Sequence, residues 1–65
     1  MNNLAEIMKR KNITPVELSS MIDLNAGTIR RLIKDSNAVP RYKTALKLSK
    51  GLGYTVAQIR GEKEI

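Results

Sequence analysis

The sequence predicts an all-α fold, a compact domain of five short helices. Two observations carry that prediction. Helix-start and helix-stop residues divide the 65 positions into five short segments with no room for a strand pair. Within those segments apolar side chains recur at i, i+3 and i+4, the spacing that lays one stripe along a helix. A third observation sets how the domain must be held. Hydrophobic residues make up 42% of the chain, enough for a core, but there is no Cys and no His, so neither a disulfide nor a structural zinc can staple it. A domain of this size buries only ~60% of the surface its unfolded chain exposes. Stability has to come from close packing of a few aliphatics.

Leu4, Ile7, Met8 and Lys11 place the first helix at about Asn3 to Lys11, with Asn2 or Asn3 as its cap. Asn12 and Ile13 link it to the second. Thr14-Pro15-Val16-Glu17 reads as a capping box: Thr at the cap, Pro where its missing N–H costs nothing, Glu three residues after the cap. The second helix starts at Pro15 and is expected to carry Leu18, Met21 and Ile22 inward. Asp23 and Leu24 form a tight turn, and Asn25 caps a third helix, Ala26 to Lys34, whose apolar set is Ile29, Leu32 and Ile33. Residues 35–40 are loop by composition and end in Pro40. A fourth helix, about Arg41 to Lys50, carries Ala45, Leu48, Ser49 and Leu52 at helical spacing, and Gly51 and Gly53 are expected to stop it. Thr55 caps a last short helix from Val56 to about Arg60, closed by Gly61. The single domain is thus 1–61, and 62–65 reads as a short polar tail that frays.

Composition also excludes function classes. Without His or Cys, the commonest general base near neutral pH and the commonest soft nucleophile are missing, and so small a domain has little room for a substrate pocket. The reading is not an enzyme, with no cofactor, no metal and no small-molecule ligand. Apolar runs are far shorter than the ~20 residues of a membrane span, and the polar segment after Met1 lacks the apolar heart of a signal peptide. A soluble, cytoplasmic protein is expected.

The net charge of +6 is not spread evenly. Residues 1–24 and 51–65 are each neutral overall, whereas 25–50 hold Arg30, Arg31, Lys34, Arg41, Lys43, Lys47 and Lys50 against Asp35 alone. The whole excess falls on the third helix, the loop after it and the fourth helix. A concentrated basic stretch is the footprint of a nucleic-acid-binding face, because affinity for a polyanion comes largely from releasing its counterions. A basic surface kept only for solubility is the plainer alternative.

The joint between the second and third helices sharpens the choice. Two short helices joined by a tight turn, the second presenting small and basic residues outward, form the helix-turn-helix arrangement that lays one helix into the major groove. Leu18-Ser19, Ile22, Leu24, Asn25 and Thr28-Ile29, followed by Pro40, the run Leu46 to Val56 and Ile59, resemble the helix-turn-helix family of the phage lambda repressor, Cro and related bacterial regulators. The resemblance covers residues 14–59 without insertion and implies a lambda-repressor-like DNA-binding domain. Four positions depart from the family pattern. Asp23 stands where Gly is usual in the turn, and is expected to occupy the left-handed region at modest cost. Pro15 replaces a frequent DNA-touching Gln, and Ile33 and Asp35 replace a frequent Glu and Gly.

Groove geometry and that resemblance assign candidate roles. Arg30 lies away from Ile29 and Ile33, and its guanidinium fork suits the O6/N7 pair of guanine. Ala26, Gly27 and Thr28 occupy the first turn, where the family reads base edges, although Thr28 has an equal case as a packing or capping residue and Gly27 as a loosened helix start. Asn25 leaves its neighbours' amides at a helix N-terminus, a site that favours phosphate. Arg31, Lys34, Asn37, Arg41, Tyr42 and Lys43 fall in the family's phosphate-clamp positions. Lys47 and Lys50 read as solvated, and Met8 and Met21 as core fillers.

Together these residues and the resemblance imply a sequence-specific regulator of phage or bacterial type that binds double-stranded operator DNA and represses by occupancy. A possible homodimer would be built on Tyr54, Val56, Ile59 and the tail, although Val56 and Ile59 are also the residues needed to dock the last helix. An adaptor helix-turn-helix that binds a partner protein, anti-repressor or antitoxin-like, stays open as the alternative.

Overall fold

The stripes expected along the chain converge on one another. A computed structural model describes all 65 residues, Met1 to Ile65. It contains five helices and no strand: α1 (Leu4–Lys11), α2 (Pro15–Met21), α3 (Ala26–Lys34), α4 (Tyr42–Leu52) and α5 (Val56–Arg60). Leu4, Ile7 and Met8 of α1, Leu18 of α2, Ile29 and Leu32 of α3, Ala45, Leu48 and Leu52 of α4 and Ile59 of α5 make one buried cluster. α2 packs on α3 and α4 on α5, while α1 lies against both α3 and α5.

Local chemistry starts the helices where expected. Thr14 Oγ1 accepts from Glu17 N at 3.1 Å and Glu17 Oε1 accepts from Thr14 N at 2.9 Å. Hydrogen bonding to the carboxylate from the Thr14 backbone N–H, and then from the Thr14 hydroxyl, favours its ionised form and holds the Glu17 pKa below its ordinary value. Thr55 and Gln58 form a second, uncharged capping box at α5. At α1 the cap position is Asn3, which makes no side-chain cap bond; the capping oxygen comes from the residue before it, Asn2, whose Oδ1 accepts from Leu4 N at 3.0 Å.

Four expectations are corrected. Met21 is 59% exposed; Leu18 and Ile22 form the inward line, and Met21, a turn from Leu18, is left on the outer flank. The α2–α3 turn needs no left-handed residue at Asp23, because Ile22 is extended and Leu24 N donates to Ile22 O at 2.9 Å. The only non-glycine residue with positive φ is Asn12, at 53°, which ends α1. α4 begins at Tyr42 and runs through Gly51 to Leu52, stopping at Gly53 with φ 77°, since burial of Leu52 continues the Leu48 stripe for another turn. The tail does not fray: Glu62 N donates to Ala57 O at 2.8 Å, Asn3 Nδ2 to Lys63 O at 3.1 Å, and Ile65 packs on the core.

Candidate nucleic-acid interface

The turn before α3 is braced on both sides. On one side Asn25 Oδ1 accepts from Gly27 N at 2.6 Å and satisfies one of the free amides at the start of α3. A Cβ on Gly27 would come within 2.9 Å of that oxygen, so the glycine makes room for the cap while staying exposed itself. On the other side Lys47 Nζ, reaching over from α4, donates to Asp23 O at 2.8 Å and lies 3.8 Å from the Asp23 carboxylate. Ile29 and Leu32 anchor the inner face of α3 in the core.

Burial of that inner face presents the opposite one. Asn25, Gly27, Arg30, Arg31 and Lys34 are exposed on α3 and its cap, with Ala26 and Thr28 half-buried. Asn37, Arg41, Tyr42 and Lys43 are exposed on the following loop and the start of α4. The ion pairs are Glu6–Arg10, Asp23–Lys47 and Arg60–Glu62. Arg30, Arg31, Lys34, Arg41, Lys43 and Lys50 therefore have no carboxylate partner. Asp35, the sole acid of this stretch, turns its Oδ1 to the amide of Asn37 at 3.1 Å and leaves the cations uncompensated.

Between α3 and the loop lies a cleft of about 170 Å³. Thr28, Arg31 and Leu32 form one wall, and Val39, Pro40, Arg41 and Thr44 face them. The fold thus brings Arg41, from the end of the loop, beside Thr28 and Arg31 of α3 around one concavity. Arg30 does not line it and projects separately from α3.

Residues 3–61 match the Cro/C1-type HTH DNA-binding domain family. The chain belongs to that family. As a Cro/C1-type domain it is a DNA-binding module of a typically non-enzymatic kind, and α2, the turn and α3 are its helix-turn-helix. No match was found among curated proteins or among solved structures. No helix of this Cro/C1-type domain is long and apolar enough to cross a membrane.

Two residues near the helix-turn-helix have roles that the sequence does not signal. Lys47 reads as a solvated lysine, yet it bonds the turn; its partner is 24 residues away, a separation that leaves no local signal. Asn2 reads only as a candidate cap, yet it also bonds the far end of α3. Ile59, assigned to a dimer surface, is fully buried in the core and unavailable for one. It is the residue that docks α5.

Proposed function

We propose that this Cro/C1-type domain is a sequence-specific transcription regulator that acts by occupying operator DNA and blocking polymerase or a competing regulator. α3 enters the major groove. Arg30 offers its fork to a guanine O6/N7 pair, and Ala26, Gly27 and Thr28 meet neighbouring base edges. Asn25, Arg31, Lys34, Asn37, Arg41, Tyr42 and Lys43 hold the backbone on either side. The observation that supports this best is the set of uncompensated cations on α3 and the α3–α4 segment of a helix-turn-helix domain. Cations kept for solubility alone would be spread over the surface and partly paired with acids.

A homodimer fits the same reading. Two α3 helices would enter successive major grooves ~34 Å apart on a near-palindromic operator. Tyr54 and Val56, both half-exposed, are the candidate contact residues.

Selection of bound sites from random duplex DNA tests the proposal, repeated with Arg30→Ala and Lys43→Ala. Arg30→Ala relaxes preference at one position by ~1–3 kcal/mol, whereas Lys43→Ala weakens all sites alike. Identical site preferences for wild type and Arg30→Ala sink the base-reading role. Absence of any enriched site favours the adaptor that binds a partner protein.

A further inference from the structure

We propose that Asn2 is a positioning residue for the DNA-binding face. Its buried amide holds the C-terminal end of α3 and the loop at 35–40 in the shape that presents Asn37, Arg41 and Lys43 to DNA phosphates. This rests on the phosphate-clamp reading of those residues.

The geometry is unusual in how much one side chain connects. Asn2 is 7% exposed and is the only polar residue that is buried. The two hydrogens of its Nδ2 serve Ala38 O at 2.7 Å and Leu32 O at 3.0 Å, and Asp35 O, at 3.3 Å, shares one of them. Its backbone N donates to Ser36 O at 2.7 Å, and its Oδ1 caps α1 at Leu4 N. The carbonyl end of α3 is therefore served by a residue 30 positions earlier in the chain.

The need arises from how α3 ends. α1, α4 and α5 close with a residue in the left-handed region, Asn12, Gly53 and Gly61, which turns local amides back onto the last carbonyls. α3 ends at Asp35 with φ −112°, so that device is absent. One of its terminal carbonyls, Leu32 O, is taken by Asn2. The loop's remaining hydrogen bonds, Asp35 N to Arg31 O, Ala38 N to Asp35 O and Asn37 N to Asp35 Oδ1, are local. Asn2 supplies every hydrogen bond that ties 35–40 to a distant part of the chain. The loop leads directly into Arg41, Tyr42 and Lys43.

The test compares wild type with Asn2→Asp, which keeps the oxygen that caps α1 but turns an acceptor toward the three carbonyls, and with Asn2→Ala. Ile7→Val serves as a control that lowers melting temperature without touching the loop, and Lys43→Ala as a control for the face itself. Binding of the full chain to a short mixed-sequence duplex is measured across a salt series, with amide hydrogen exchange read at 35–43. The expected result is faster exchange there and a log K against log salt slope reduced by about one to two in both Asn2 variants, as phosphate contacts are lost. Ile7→Val keeps the wild-type slope. Wild-type slopes in the Asn2 variants, with Lys43→Ala reduced, overturn the role of Asn2 alone. An unchanged slope in Lys43→Ala overturns the phosphate-clamp reading and this role with it. Should Asn2→Asp or Asn2→Ala fail to fold, Asn2→Ser, whose hydroxyl can cap α1 but is too short to span the carbonyls, is judged by the same slope.

Discussion

A Cβ placed on Gly51 would lie 2.5 Å from Cγ2 of Ile22. α4 thus crosses the end of α2 at a separation that only glycine allows, and Ile22, stiff at χ1 because it is β-branched, cannot swing aside cheaply. This contact sets the helix-turn-helix against the rest of the domain. Gly51→Ala gains up to ~1 kcal/mol of helix propensity and loses ~1–3 kcal/mol to overpacking. The expected outcome is a lower melting temperature. In an Ile22→Ala background the clash is gone, so the same substitution becomes neutral or stabilising. A double-mutant cycle read by thermal denaturation checks the coupling.

Lys47 and Lys43 lie one turn apart on α4 but are assigned different work. Lys47 bonds the Asp23 carbonyl from a partly exposed position, so Lys47→Ala costs about 0.5–1 kcal/mol of stability. It leaves the salt dependence of DNA binding unchanged. Lys43→Ala does the reverse: stability holds, and the slope of log K against log salt falls by about one. Denaturation and a salt titration on both variants separate the two roles.

Asn25→Asp separates stability from binding at the start of α3. A carboxylate keeps the cap to the Gly27 amide and interacts well with the positive helix end, so the melting temperature stays level or rises. The same charge repels a phosphate at that site, and affinity for duplex DNA falls. Asn25→Ala loses the cap and costs ~0.5–2 kcal/mol. Melting curves beside a binding titration check both.

Stability near the acid limit should depend on Glu17. Its folded pKa is depressed by the hydrogen bonds from Thr14, so its contribution is present above the unfolded-state value and is lost as pH falls through the folded one. Glu17→Gln keeps the capping geometry without the charge. The variant melts below wild type at neutral pH, and the gap closes as pH falls below the ordinary Glu range. Melting temperatures of both proteins across that range give the check; a gap independent of pH contradicts the assignment. Thr55 and Gln58, the uncharged counterpart, supply no such pH dependence.

Much of the fold is legible in the sequence because its signals are local. A capping box needs residues three apart, a helix stripe needs residues three and four apart, and Thr14, Asn25, Thr55, Gly53 and Gly61 all act within a turn of themselves. The basic stretch from Arg30 to Lys50 is equally plain, since charge is counted and not folded. Legibility ends where a neighbour from elsewhere decides the outcome. Gly51 reads as a helix stop because glycine usually is one, whereas its reason for being there is Ile22 on another helix. Ile59 reads both as a dimer contact and as a residue that docks the last helix, and only its full burial decides for the second.

The sequence by itself determined the all-α class, the helix starts, the helix-turn-helix register and the side of the molecule that is basic, all from interactions within a few residues and from composition. Only the tertiary structure decided which of those cations lack a partner, which lysine braces the turn, and that Asn2 closes the far end of α3. Those outcomes depend on hydrogen bonds between residues 24 to 36 apart, whose partners are brought within 3 Å only when the aliphatic core closes.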